Sequence, residues 1–390
     1  MWSEESVGCE AGSDSSARLA VVASASPALA PLQAPVREFL PRLDSLTGLR
    51  FFAAYFVLQH HFTNFGMIPF LDRYTGFGTT GVTFFFVLSG FVLTWSFVPS
   101  DTAPRFYWRR FARIWPLHAV TTLIALPVFY GLRGQPFDFG AVTLSFLLLH
   151  AWVPTATTYF AGNPASWTLS CEAFFYAIHP FIVRRVLAMR AAGLGTAAAV
   201  VAGALYVGAD QSGHLSARLG GWFRDVSPIF KVLEFLLGVV LAAALRRGYR
   251  LRIRLVPAVV MLGAWFVVYY NLNPHFSSQL RLFVAYLNFA ALPVLYALII
   301  AAAAQLDLNG APSLLRSRLL VTLGQWSYAL YLIQASIIYA LVEWLGPRQT
   351  SITNVGWLVV VSALCIGASG ILYTVIEHPT ERRLRAMLRR

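Results

Sequence analysis

Lysine occurs once in 390 residues, at Lys231, and cysteine three times, at Cys9, Cys171 and Cys365. Three scattered cysteines exclude a disulfide framework and a cysteine-based metal site. Charged residues of all kinds make up only 12% of the chain. A soluble domain carries about a quarter, so one water-exposed globule of this size lacks the charge to coat its surface. The chain has neither a P-loop nor a dinucleotide fingerprint. It also lacks an internal repeat and the paired, interrupted hydrophobic segments of many transporters. Short alternating segments, which a membrane β-barrel needs, are missing as well.

What is present is apolar: 57% of positions. Runs of about 20 apolar residues recur along the chain, which is the signal of membrane-crossing helices. In lipid every backbone amide must be satisfied internally, so the expected fold is all-α, a polytopic transmembrane helix bundle. Segments fall near 47–66, 79–98, 116–132, 139–154, 167–183, 193–209, 228–245, 255–271, 282–304, 319–343 and 354–377. The net charge of +13 is carried almost wholly by arginine. The arginines cluster between spans, at 105–113, 184–190, 246–254, 316–318 and 382–390. That placement fits cytoplasmic loops better than a nucleic-acid surface.

With both termini cytoplasmic, the loop charges require an even number of crossings between 116 and 183, where three segments lie. One of 116–132 and 139–154 is therefore expected to be short or re-entrant, leaving about ten full spans. Residues 1–41 lack the ordered parts of a signal peptide and are expected to form a flexible cytoplasmic tail. The membrane domain is expected over 42–385, with a basic cytoplasmic tail at 386–390, in the plasma (inner) membrane.

Several polar residues interrupt the spans. Arg50 and His61 are eleven residues apart, about three helical turns and 16 Å, so they share one helix face. If Arg50 sits at the cytoplasmic boundary, His61 sits near mid-membrane. An imidazole there either serves as a general base or is a neutral histidine bonded between helices. Its neighbour His60 points elsewhere on the helix. Arg110 and Arg113, at i and i+3, form a basic fork suited either to phosphates or to anionic lipid. Glu172, just inside a span and placed on the outer side by the loop count, needs a partner or a role. It either orients a histidine or caps a helix start. Glu234 lies in a span, and Tyr328, Tyr331 and Gln334 follow one another along a later one. Gly81, Ser89 and Gly90 are small residues that let helices approach.

The order of these pieces is more telling than any one of them. The chain resembles the membrane-bound acyltransferase-3 family through Arg50 and His61, FFFVLSGF at 84–91, RRFARIWP at 109–116, WTLSCEAFFY at 167–176, the EF..G pattern at 234–238, GQWSYALYL at 324–332 and IEHP at 376–379. The resemblance covers residues 42 to 385. It implies transfer of an acetyl or other short acyl group from acyl-CoA to a hydroxyl of a carbohydrate, glycoconjugate or polyketide acceptor. It implies no permanently bound cofactor; acyl-CoA, foremost acetyl-CoA, is a substrate. By the match of motifs, Arg50, His61 and Glu172 are the catalytic candidates, and Arg50, Arg110 and Arg113 the donor-binding ones. Trp167, Ser170, Tyr176 and Tyr331 are candidates for contact with substrate. Gln334 stands where many members have histidine, so it is not counted as catalytic. The rival expectation is a transporter or flippase of a lipid-linked sugar, which would also need charge and cavities within the membrane.

Overall fold

The computed structural model describes residues 40–71, 74 and 76–387. The expected N-terminal tail lies outside the described residues but for its last two positions, as do the final residues of the basic C-terminal tail.

The described residues are helical, with no named β-strand among them. The helices are α1 (Asp44–Phe62), α2 (Thr80–Trp95), α3 (Ala103–Leu126), α4 (Phe139–Phe146), α5 (Ala156–Tyr159), α6 (Trp167–Ala188), α7 (Ala191–Ser212), α8 (Ala217–Asp225), α9 (Pro228–Arg246), α10 (Leu255–Val267), α11 (Ser278–Leu308), α12 (Arg318–Leu345), α13 (Asn354–Leu372) and α14 (His378–Ala386). Eight helical stretches are long and apolar enough to cross a membrane, among them Ala103–Leu132, where a π-turn extends α3. Two further helices have the length but not the apolarity. These are α1, with Asp44, Arg50, His60 and His61, and α6, with Glu172, His179, Arg184 and Arg185. Together these are ten helices of spanning length among the described residues.

End-to-end contacts fix how the ten alternate. At one end Ser45 donates to Asp307 (backbone N 2.8 Å, Oγ 2.6 Å). There too Arg246 donates to the carbonyls of Thr94, Trp95 and Phe97 at 2.7–3.1 Å. Arg247 reaches Leu187 O at 2.9 Å, and Trp108 Nε1 reaches Leu384 O at 2.7 Å. At the other end Arg348 N donates to Phe65 O (2.7 Å) and Arg133 pairs with Glu343 (3.0 Å). Among the described residues, the arginines of every cluster noted above fall at the first end; Arg133, Arg218, Arg224, Arg281 and Arg348 are scattered at the second.

The conflict of loop counts between 116 and 183 is resolved at 139–154. That segment breaks after the eight residues of α4, which rise only about 12 Å. The chain then turns into the bundle. Asn163 Nδ2 donates to Leu332 O at 2.9 Å, and Leu332 is at the midpoint of α12. Asn163, Ala165 and Ser166 are buried. Helix α6 therefore starts at mid-depth, and the re-entrant stretch is satisfied by protein rather than lipid, as irregular backbone at this depth must be. Ser166 Oγ meets His150 Nε2 at 3.2 Å and donates to Asn163 O at 2.7 Å.

A very close crossing joins α2 to α9. A Cβ on Gly90 would overlap the carbonyl oxygen of Phe235, and one on Gly238 would overlap that of Val87. The FFFVLSGF and EF..G motifs thus interlock backbone to backbone, the small-residue packing that bilayers favour. Phe86, Phe175 and Phe235 continue the contact into α6, with ring centroids 5.2 and 4.8 Å apart.

Overpacking such a crossing costs about 1–3 kcal/mol or more. Gly90→Ala and Gly238→Ala are expected to lower the thermal midpoint of the detergent-purified protein. Gly263→Ala, where an added Cβ meets nothing within 4 Å, is expected to leave it in place.

Candidate active site

Helix α1 starts at Asp44, so Arg50 is about 9 Å inside the helix start, and His61 is on its last turn. The pair is displaced from the expected depths: Arg50 is interior rather than at the boundary, and His61 lies beyond mid-depth toward the arginine-poor end. The cause is that α1 begins three residues before the apolar run and stops four residues short of its end.

Arg50 lines a cavity of about 70 Å³ with Arg113, Glu172, Tyr176, Tyr328 and Tyr331. Arg113 is largely spent. Its Nη1 donates to Glu377 Oε1 at 2.5 Å and to Glu381 Oε2 at 3.0 Å. Glu381 also pairs with Arg385. Glu172 accepts a hydrogen bond from the Tyr176 hydroxyl one turn on. Among the described residues Arg50 has no ion-pair or hydrogen-bond partner, and its Nε is buried. Of the cavity's cations it is the one whose donors remain for a ligand. Arg110 lies over the rings of Phe106 and Tyr176, at 5.7 and 6.0 Å, and does not line this cavity. The expected fork of Arg110 and Arg113 is therefore divided between two surroundings.

His61 lines a second cavity, of about 740 Å³, together with His60, Trp167, Lys231, Glu234 and Tyr339. Its Nδ1 is buried with no hydrogen-bond partner, and its ring centroid is 6.5 Å from that of Tyr339. His60, expected to point away, lines the same space. A volume of this order suits a bulky organic molecule, whereas the first cavity admits only a thin one.

The two cavities share Val82 and Tyr331. Tyr331 is held at this wall: its hydroxyl donates to Ala165 O (3.0 Å) and accepts from Thr168 Oγ1 (3.1 Å). Both anchors belong to the re-entrant stretch or the turn of α6 that follows it.

The candidates thus divide. Arg50, Arg113, Glu172 and Tyr176 line the small cavity, His61 and Trp167 the large one, and Tyr331 both. Glu172 was expected on the outer side, near His61. It stands instead in the half of Arg50, because α6 starts at mid-depth. Ser170 lines neither cavity; it is buried and donates to Leu148 O at 2.7 Å, tying α6 to the re-entrant stretch. Sequence reasoning gave no site role to Tyr328, Glu377 or Lys231. Tyr328 bonds Ile114 O at 2.8 Å beside Arg113. For Glu377 the position in the IEHP motif was the available signal.

A family model described as an acyltransferase domain matches residues 43–374. The chain belongs to the acyltransferase-3 family. It is also similar to a protein named acyltransferase MdmB from Streptomyces mycarofaciens, 35% identical over 368 residues, covering 88% of this chain and 92% of that one. No solved structure gives a significant match. Membership makes this a multi-helix membrane enzyme, an O-acyltransferase.

Removing one member of a buried ion pair leaves the other uncompensated, at a cost of about 3–5 kcal/mol. Glu377→Ala is expected at the low end, because Glu381 stays on Arg113. Glu381→Ala should cost less, since its carboxylate is the more exposed of the two. Thermal unfolding in detergent ranks them.

Proposed function

We propose that the enzyme moves a short acyl group, acetyl first among them, from acyl-CoA to a hydroxyl of a carbohydrate or of a glycosylated or polyketide acceptor. The observation that carries this is the pair of unequal cavities meeting at Val82 and Tyr331, one lined by an unspent arginine and the other by an unpartnered imidazole. The arginine-rich end faces the cytoplasm, where acyl-CoA is found, and both termini lie there. Arg50 meets the anionic donor, with Arg110 and Arg113 supplying field at that end, and Glu172 and Tyr176 shape the small cavity around it. The thin arm of the donor passes Tyr331 and presents its thioester to the large cavity. His61 takes the proton of the acceptor hydroxyl as its oxygen attacks the thioester carbonyl. The carbon–sulfur bond breaks, and the thiolate leaves to take up that proton. Trp167 and Tyr331 border the acceptor.

Mass spectrometry of envelope glycans and secreted metabolites, with the gene intact and deleted, is expected to reveal an acylated compound that reverts to its unacylated parent. With that parent and acetyl-CoA, His61→Ala should lower turnover of the purified protein at least ~100-fold. His61→Gln should not restore it, because an amide does not accept a proton near neutral pH. Near-normal turnover in His61→Gln would make the histidine a structural hydrogen-bonder. Loss of glycan export with acylation unchanged would favour a flippase instead.

A cysteine placed near Arg105 is expected to resist a membrane-impermeant thiol reagent added to intact cells. Strong labelling from outside would reverse the orientation.

A further inference from the structure

The large cavity contains a charged pair that neither proton transfer nor donor binding uses. Lys231 and Glu234 lie one turn apart at the start of α9, with Nζ 2.8 Å from Oε1. They are 7% and 2% exposed, and both line the cavity of His61. Stability does not account for them. The desolvation of a buried ion pair offsets most of its attraction, and a cation in the first turns of a helix faces the positive end of the macrodipole. Glu234 Oε1 is occupied by Lys231, but Oε2 is buried with no hydrogen-bond partner among the described residues. An unmet buried acceptor is costly, more so when charged.

We propose that Glu234 Oε2 receives a hydroxyl of the acceptor, distinct from the one that is acylated, and that Lys231 holds the carboxylate turned toward the cavity. This rests on the function proposed above, in which the acceptor occupies the cavity of His61. It makes Glu234 a specificity-determining residue and the acceptor a polyhydroxylated molecule. Lys231 already balances the carboxylate charge, so the free oxygen suits a neutral O–H rather than a second cation. An acceptor without that hydroxyl would leave the oxygen unpaired and be rejected strongly, as sites built to bond a hydroxyl do.

Lysine offers only donors. In Glu234→Gln it therefore holds the amide oxygen and turns the NH₂ group into the cavity, so that an acceptor atom becomes a donor. The probe is the unacylated parent compound purified from the deletion strain, assayed with acetyl-CoA. In Glu234→Gln the KM for the parent is expected to rise at least ~10-fold, as loss of a charged hydrogen bond of about 1.5–3 kcal/mol implies. The KM for acetyl-CoA should be unchanged. Adding Lys231→Met frees the amide to rotate and present its oxygen, so the double variant should recover part of the lost affinity. A pair with a merely structural role would make the double variant no better than the single one. An unchanged parent KM in Glu234→Gln overturns the proposal. So does an equal rise for both substrates, or a fall in kcat with both KM values intact. If Glu234→Gln fails to fold, Lys231→Met/Glu234→Gln is compared with Lys231→Met/Glu234→Leu, which has no acceptor atom; equal parent KM values in those two overturn it. Failure of the wild-type protein to acylate the parent sinks the function and this proposal together. A flat parent KM in an active Gln variant sinks this proposal alone.

Discussion

Charge placed within a hydrocarbon-thick layer has to be answered by charge, hydrogen bonds or a ligand, and the interior of this bundle is organised around that demand. Arg113 is answered by Glu377 and Glu381, Glu172 by Tyr176, and Glu234 in part by Lys231. Arg50 has carboxylates near it but no hydrogen-bond or ion-pair partner among the described residues. The ion pairs of Arg113 hold α3 to α14. Unmet atoms of Arg50, His61 and Glu234 belong to residues that line the two cavities.

Cavities of that kind need a rigid surround, and backbone-to-backbone packing supplies it. The crossing at Gly90 and Gly238 brings α9 so close to α2 that side chains cannot intervene. This fixes the height of Glu234, one turn before Gly238, relative to the FFFVLSGF segment. The re-entrant stretch acts from the opposite side. By ending at mid-depth it starts α6 inside the protein and supplies both anchors of the Tyr331 hydroxyl.

The helical architecture was legible because hydropathy alone demands it: no other fold satisfies so apolar a chain in lipid. The anomaly of three segments where two or four belong was legible from arginine placement. The choice between 116–132 and 139–154 was not. It turns on a break after Phe146 and on the bond from Asn163 to Leu332, a contact 169 residues apart in sequence. Arg50 and His61 were readable as one helix face, because 3.6-residue periodicity fixes angle. Their depth was not readable, because the start of a helix without a capping bond leaves little trace in sequence. Glu172 was assigned the wrong half of the bundle for a related reason: its depth depends on where the re-entrant stretch hands over to α6. Ser170 looked like a site residue in its motif and serves instead to fasten α6. Lys231 stood out only by its rarity, and its geometry gives that rarity a context.

Some partners within the bundle are far apart in the chain. Arg113 and the carboxylate of Glu377 are separated by 264 residues, and Ser45 and Asp307 by 262. A polypeptide enters the bilayer from its N-terminus as it is synthesised. Helix α3, which carries Arg113, therefore reaches the membrane before the carboxylates that neutralise it exist. It must be held at the insertion machinery, or shielded by neighbouring helices, until the segment with Glu377 and Glu381 arrives. For Arg113 the order of biosynthesis is the reverse of the order of need: the charge comes early and its counter-charges come last. Premature termination anywhere before Glu377 would leave a chain with nearly all its helices and an unbalanced interior, a natural substrate for membrane quality control.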